Sequence, residues 1–107
     1  MNVYVYQAAL LCADCGAGVA RDLRSIPAEY KEDSGTFPQG PYPDGGGESD
    51  SPYHCDHCDT FLENPLTDDG IAYVQERLDS ETRPYSETLA QWARFYADVL
   101  PAPIEVE

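Results

Sequence analysis

All four cysteines of this chain fall in two pairs of identical spacing, Cys12-Ala13-Asp14-Cys15 and Cys55-Asp56-His57-Cys58. A gap of two residues lets one tight backbone turn present both sulfurs to a single ion, and two such turns supply the four soft donors that a tetrahedral Zn²⁺ site takes. Any fold open to this chain must bring those two distant stretches together. The pattern predicts one structural Zn²⁺ per chain, bound by Cys12, Cys15, Cys55 and Cys58. A site closed by four thiolates leaves no position for water or substrate, so its expected role is to fix the fold rather than to do chemistry.

Other readings of the same residues are weaker. His54 and His57 flank the second pair, and either could replace a thiol as ligand or hydrogen-bond from outside the ligand set. His57 lies between two ligands, where its ring points outward, and a Cys₃His site would leave one cysteine idle. A thioredoxin-like redox pair belongs at a strand-to-helix junction in a βαβ setting, and two copies are not expected. A zinc deaminase would carry H-x-E upstream and Pro directly before C-x-x-C, which this chain lacks. Asp44-Gly45-Gly46-Gly47-Glu48 presents carboxylates where a phosphate-binding loop needs Lys and Ser or Thr. Asp44, Glu48 and Asp50 lack the ligand spacing of an EF-hand loop.

At 107 residues the chain fits one domain, 1–107, stabilised by the metal. Its middle, about 27–52, is rich in Pro and Gly and reads as a long loop, with Tyr30, Phe37, Tyr42 and Tyr53 packing parts of it down. The core must come from the two ends and is small. A structural metal can contribute on the order of 10 kcal/mol of coupled folding energy, so the metal is expected to be needed for folding.

Asn2–Gln7 alternates Val with Tyr and reads as a strand leading to the first cysteine pair. Gly16 follows Cys15, where a left-handed residue would turn backbone N–H groups toward the sulfurs. This Cys-x-x-Cys-Gly stretch resembles the knuckles of zinc ribbons and rubredoxin-like proteins. Asp59 stands at the equivalent place after Cys58, and Asp tolerates the same backbone region. Gly18–Arg24 fits a second short strand or one or two helical turns by its length, with a short helix ending before Pro27 the preferred reading, and Thr60-Phe61-Leu62 reads as a short strand able to pair with the N-terminal one. Thr67 is an N-cap for a helix over about Asp68–Asp79, with Ile71, Val74 and Leu78 on its apolar face. A second helix is expected from about Pro84 to Leu100, burying Tyr85, Leu89, Trp92, Ala93, Tyr96, Val99 and Leu100. Pro101–Glu107 would fray or lie along the surface. The predicted class is α+β: a small zinc-ribbon-like lobe of short antiparallel strands with two C-terminal helices.

Twenty acidic residues against six basic ones give a formal charge of −14. Such a balance repels phosphate backbones, and Arg21, Arg24, Lys31, Arg77, Arg83 and Arg94 are too scattered to form a basic track, so no nucleic acid is expected to bind. The apolar run Ala8–Leu11 is too short to span a bilayer and has no basic residue before it, so no membrane association and no export signal are expected. Reduced thiols in a cytoplasmic protein fit that reading.

The stretch from Pro38-Gln39-Gly40-Pro41 through Ser51-Pro52, followed by His54-Cys55 and Phe61-Leu62-Glu63-Asn64-Pro65-Leu66-Thr67, resembles a family of small bacterial and phage proteins that brings no known activity with it. The function expected from the residues is that of a non-enzymatic structural-zinc protein, an adaptor or regulator with an acidic surface that binds a protein partner of basic surface. One alternative is an acidic mimic of nucleic acid aimed at a DNA-binding protein. The other is a metal-dependent or redox enzyme.

Overall fold

The computed structural model describes residues 1–102. It divides into two compact units, one formed by Met1–Gly47 with Tyr53–Asn64, the other by Glu48–Pro52 with the chain from Pro65 onward. Among the described residues there is one three-stranded antiparallel sheet, three α-helices of which two lie toward the C-terminus, and a cluster of cysteines. This is the small α+β, zinc-ribbon-like class that the sequence predicts.

The first unit starts with a hairpin. Strands β1 (Val3–Tyr6) and β2 (Ala9–Cys12) pair with Tyr6 opposite Ala9 and Val3 opposite Cys12. Gln7 and Ala8 form the two-residue connection, both at positive φ (52° and 61°), the backbone hand that matches the twist of two joined strands. No Gly or Asn marks this turn, and the Gln7 N–H donates to Ser34 O at 2.8 Å instead. Most of the run Ala8–Leu11 thus lies in β2, which ends on the first ligand, Cys12.

Helix α1 (Ala13–Asp22) follows without a break. The short helix expected at Gly18–Arg24 therefore begins earlier and includes Cys15 and Gly16. Gly16 is helical rather than left-handed, and its reason is contact: a Cβ there would lie 2.2 Å from Tyr4 Cδ1. Since side chains alternate across a strand, Tyr4 faces away from Val3, and α1 packs on the Tyr4 side of β1.

Strand β3 (Gln39–Tyr42) lies against the other edge of β1, giving the order β2-β1-β3. It falls within the segment 27–52 that reads as loop, because Pro41 and Gly40 argue against a strand. An outer strand tolerates proline, for its outward positions need no ladder N–H. Two 3₁₀ turns, Ala28–Glu32 and Asp44–Gly46, occupy other parts of this segment. Of the rings expected to hold it down, Tyr53 packs on the core, whereas Tyr30 and Tyr42 are about half exposed, at 50% and 47%.

Residues 53–62 form a return loop that carries the second cysteine pair. The Leu62 N–H donates to Tyr53 O at 2.9 Å, the Cys55 N–H to Thr60 O at 2.8 Å, and His54 bridges Phe61. Thr60-Phe61-Leu62 thus pairs with the residues just before the turn and not with the N-terminal strand, since closing a short loop costs less chain entropy than reaching back across the chain. Buried Asn64 locks the loop's base by accepting from the Tyr53 N–H at 2.7 Å. The core of this unit is Val3, Leu11, Cys12, Cys55 and Leu62.

In the second unit, helix α2 (Asp68–Ser80) begins where its cap signal lies, with Thr67 Oγ1 accepting from the Gly70 N–H at 3.1 Å and buried Val74 and Leu78 on its inner face. Helix α3 (Glu87–Phe95) is shorter at both ends than the expected Pro84–Leu100. Ser86 is its cap, accepting from the Leu89 N–H at 3.2 Å, while the Tyr85 hydroxyl donates to Leu78 O at 2.9 Å. Leu89, Trp92, Ala93 and Tyr96 are buried as the apolar stripe requires, but Val99 is 52% exposed because the chain has left the helix for successive turns. The Ala102 N–H donates to Gln75 Oε1 at 3.2 Å. The rest of the tail, 103–107, lies outside the described residues. No helix among the described residues is long and apolar enough to cross a membrane.

Candidate metal centre

Cys12 ends β2 and caps α1, with φ −64° and ψ 166° at the point where extended backbone becomes helix. Its sulfur accepts from the Cys15 N–H at 3.5 Å, as a Ser or Asp cap would with oxygen. Cys15 sits in the first helical turn, so the spacing of three puts both sulfurs on one side of the helix start. The first pair is therefore a strand-to-helix junction rather than a free-standing knuckle. That junction lies in an antiparallel hairpin, not in the βαβ unit of a thioredoxin-like site.

The second pair is a tight turn. The Asp59 N–H donates to Cys55 O at 2.8 Å, and Asp59 takes the positive φ (65°) that the cysteine spacing calls for, as a residue type able to adopt it. His54 Nδ1 meets Asp59 O at 2.9 Å, and its ring lies tilted against Phe61 with centroids 5.5 Å apart. The turn is fastened to the sheet where the Asp56 N–H donates to Leu10 O at 2.9 Å. One backbone bond thus sets the second pair against β2, whose last residue is Cys12.

Together these contacts bring the four Sγ atoms within 4.8 Å of one another, and this group could hold a metal ion. Cys12 Sγ and Cys58 Sγ, from opposite pairs, are 3.7 Å apart. A tetrahedral ion with metal–sulfur bonds of about 2.3 Å has sulfur–sulfur edges of about 3.8 Å, so the Cys12–Cys58 edge matches such a site, and four thiols suit the chemistry of Zn²⁺. Cys12 and Cys55 are buried, Cys15 is intermediate and Cys58 is exposed, and none is in a disulfide. Neither His54 nor His57 belongs to the group of ligand atoms. His54 instead braces the turn from outside, one of the two roles open to it from sequence.

Electrostatics distinguish the thiols. Burial pushes Cys12 up from the ordinary thiol value, and Cys15 is held well above it, first by its hydrogen bond with the Cys12 sulfur and then by burial. Cys58 is pulled down to about 6 by the Thr60 hydroxyl, 3.0 Å from its sulfur, and by the Thr60 backbone N–H. Crowded thiols resist becoming anions together unless a cation compensates them, which is what a bound divalent ion does. Thr60 was not singled out by the sequence; a hydroxyl two residues beyond a metal-type cysteine is the signal that points to it. In metal-free protein, alkylation of Cys58 is expected to rise through pH 6, because the thiolate is the reactive form and its value is depressed. Thr60→Val should move that midpoint upward, as followed by mass spectrometry of the Cys58 peptide.

Compared with known proteins, the chain matches no family model, no curated protein and no solved structure.

Proposed function

We propose that this chain is a structural-zinc protein without catalytic activity, and that it serves as an adaptor whose acidic surface engages a basic protein partner. The observation that supports it most is the convergence of Cys12, Cys15, Cys55 and Cys58 on one point, with no His or carboxylate in the set. Catalytic zinc sites keep a position open by using three protein ligands, whereas four thiolates fill the coordination shell. Reduced thiols of this kind suit a reducing compartment such as the cytoplasm.

Charge supports the adaptor reading. From Asp44 to Asp69 the chain carries Asp44, Glu48, Asp50, Asp56, Asp59, Glu63, Asp68 and Asp69 with no Lys or Arg. Asp56 and Asp59 are exposed on the turn that the metal would hold rigid, so their charge acts as a fixed local field. The zinc-loaded protein is expected to recover a basic protein from extracts at low salt and to release it as salt shortens the field. Replacing Glu48, Asp50 and Asp56 with Gln or Asn should slow association without unfolding. Unchanged recovery by that triple variant would reduce the acidic segment to a solubilising surface, and a salt-sensitive shift of DNA or RNA would contradict the choice of partner.

A further inference from the structure

The four thiols are unequal in a way that a purely structural clamp does not require. Cys12 is only 8% exposed and Cys55 only 2%, whereas Cys58 is exposed. The sulfur 3.7 Å from this exposed one is Cys12, which belongs to the other pair and lies 46 residues away in sequence. Cys12 itself is fixed at the junction of β2 and α1 by its bond from the Cys15 N–H. An accessible sulfur next to a held, shielded one is the arrangement of an attacking and a resolving cysteine.

We propose that Cys58 is an oxidation site for hydroperoxides and that Cys12 resolves it, exchanging the metal clamp for a disulfide between the same two segments. The exchange of clamps rests on the structural-zinc reading; the pairing of Cys58 with Cys12 does not. Cys58 Sγ, as thiolate, attacks the O–O bond of hydrogen peroxide: an S–O bond forms, the O–O bond breaks, and the departing hydroxide takes a proton to become water. Cys58 is now a sulfenic acid, oxidised by two electrons, and the peroxide has been reduced. Cys12 Sγ, as thiolate, then attacks Cys58 Sγ. The S–S bond forms, the S–O bond breaks, and hydroxide again leaves as water after taking a proton. In total, two thiolates, one peroxide and two protons give one disulfide and two waters. Two of the four ligands are thereby withdrawn, and the remaining thiols, Cys15 and Cys55, do not complete a closed site. A thiol reductant reverses the disulfide by exchange, so the state is recoverable.

The test treats zinc-loaded and metal-free protein with stoichiometric hydrogen peroxide, follows zinc with a chromogenic chelator, and maps crosslinks by non-reducing peptide mass spectrometry after trapping free thiols. The expected result is release of the bound zinc together with a Cys12–Cys58 crosslink, and the same crosslink in the metal-free arm. Cys58→Ser should slow peroxide consumption about tenfold or more. Because that variant can misfold, the crosslink map of the unmutated chain is decisive. Disulfides within each pair, sulfinic acid at Cys58 without a crosslink, or zinc retained under peroxide would overturn the inference. A chain that binds no zinc at all refutes the structural-zinc reading, while its metal-free map still decides between Cys12 and another partner for Cys58.

Discussion

Stripping the metal with a strong chelator, or replacing Cys55 with serine, is expected to unfold the sheet-bearing unit of this protein. Of the five buried residues in its core, two are the thiols Cys12 and Cys55. The cluster's other members are Val3, Leu11 and Leu62, Phe61 is buried in the same unit beside them, and full burial of such a side chain contributes roughly 1.5–3 kcal/mol. That sum competes with the chain entropy of fixing the whole unit and loses without a further contribution. A structural zinc supplies on the order of 10 kcal/mol in favourable cases, comparable with the whole stability of a typical domain. Cys55 is also the anchor of its turn, since its N–H and C=O bond to Thr60 and Asp59. His57→Ala, by contrast, changes an exposed side chain outside the ligand group and should leave the metal bound. Amide exchange reads the difference: protection across Val3–Leu11 should collapse on chelation and survive His57→Ala. A metal-free protein that keeps this protection and melts cooperatively would show that the apolar core suffices.

Gly45→Ala is expected to be the most damaging single change away from the cysteines. Gly45 has φ +60°, and a Cβ built there would sit 2.2 Å from Leu62 O and 2.7 Å from Asn64 N. Both obstacles are backbone, so no side chain can rotate away. The Gly45 N–H also donates to Met1 O at 2.8 Å, which ties the N-terminus, the turn and the base of the second cysteine loop at one place. The left-handed conformation alone costs an alanine about 1 kcal/mol, and displacing Leu62–Asn64 from its contacts brings the total to roughly 3 kcal/mol or more. Gly18→Ala is the contrast, because a Cβ there meets nothing within 4 Å in a helix that prefers alanine. Thermal melts of the zinc-loaded variants should show a large loss for Gly45→Ala and none for Gly18→Ala. Equal melting of the two would mean that the Asp44–Gly46 turn is not packed as described.

What the sequence made legible was local chemistry. The cysteine spacing marked four side chains that do converge, and Thr67 marked the start of α2 to the residue, because a cap is a short-range bond between neighbours. What it hid depended on partners far along the chain. The hairpin of β1 and β2 has no local signature, because Gln7-Ala8 carries none of the usual turn residues and the Gln7 N–H bonds to Ser34. Strand β3 was masked by Pro41, whose cost vanishes only at a sheet edge. Gly16 read as a turn residue, whereas its smallness serves the Tyr4 ring packed against α1. At the site, the ligands were legible but the inequality between buried Cys12 and exposed Cys58 was not, since it arises from how the two segments meet.

The central claim is that Cys12, Cys15, Cys55 and Cys58 together hold one metal ion in the folded chain. Elemental analysis combined with intact mass under non-reducing conditions tests it most directly. The expected result is one zinc per chain, with all four cysteines recovered as thiols once the ion is removed. Protein that is folded yet free of metal, or a mass lowered by the hydrogens lost to two disulfides, would contradict it.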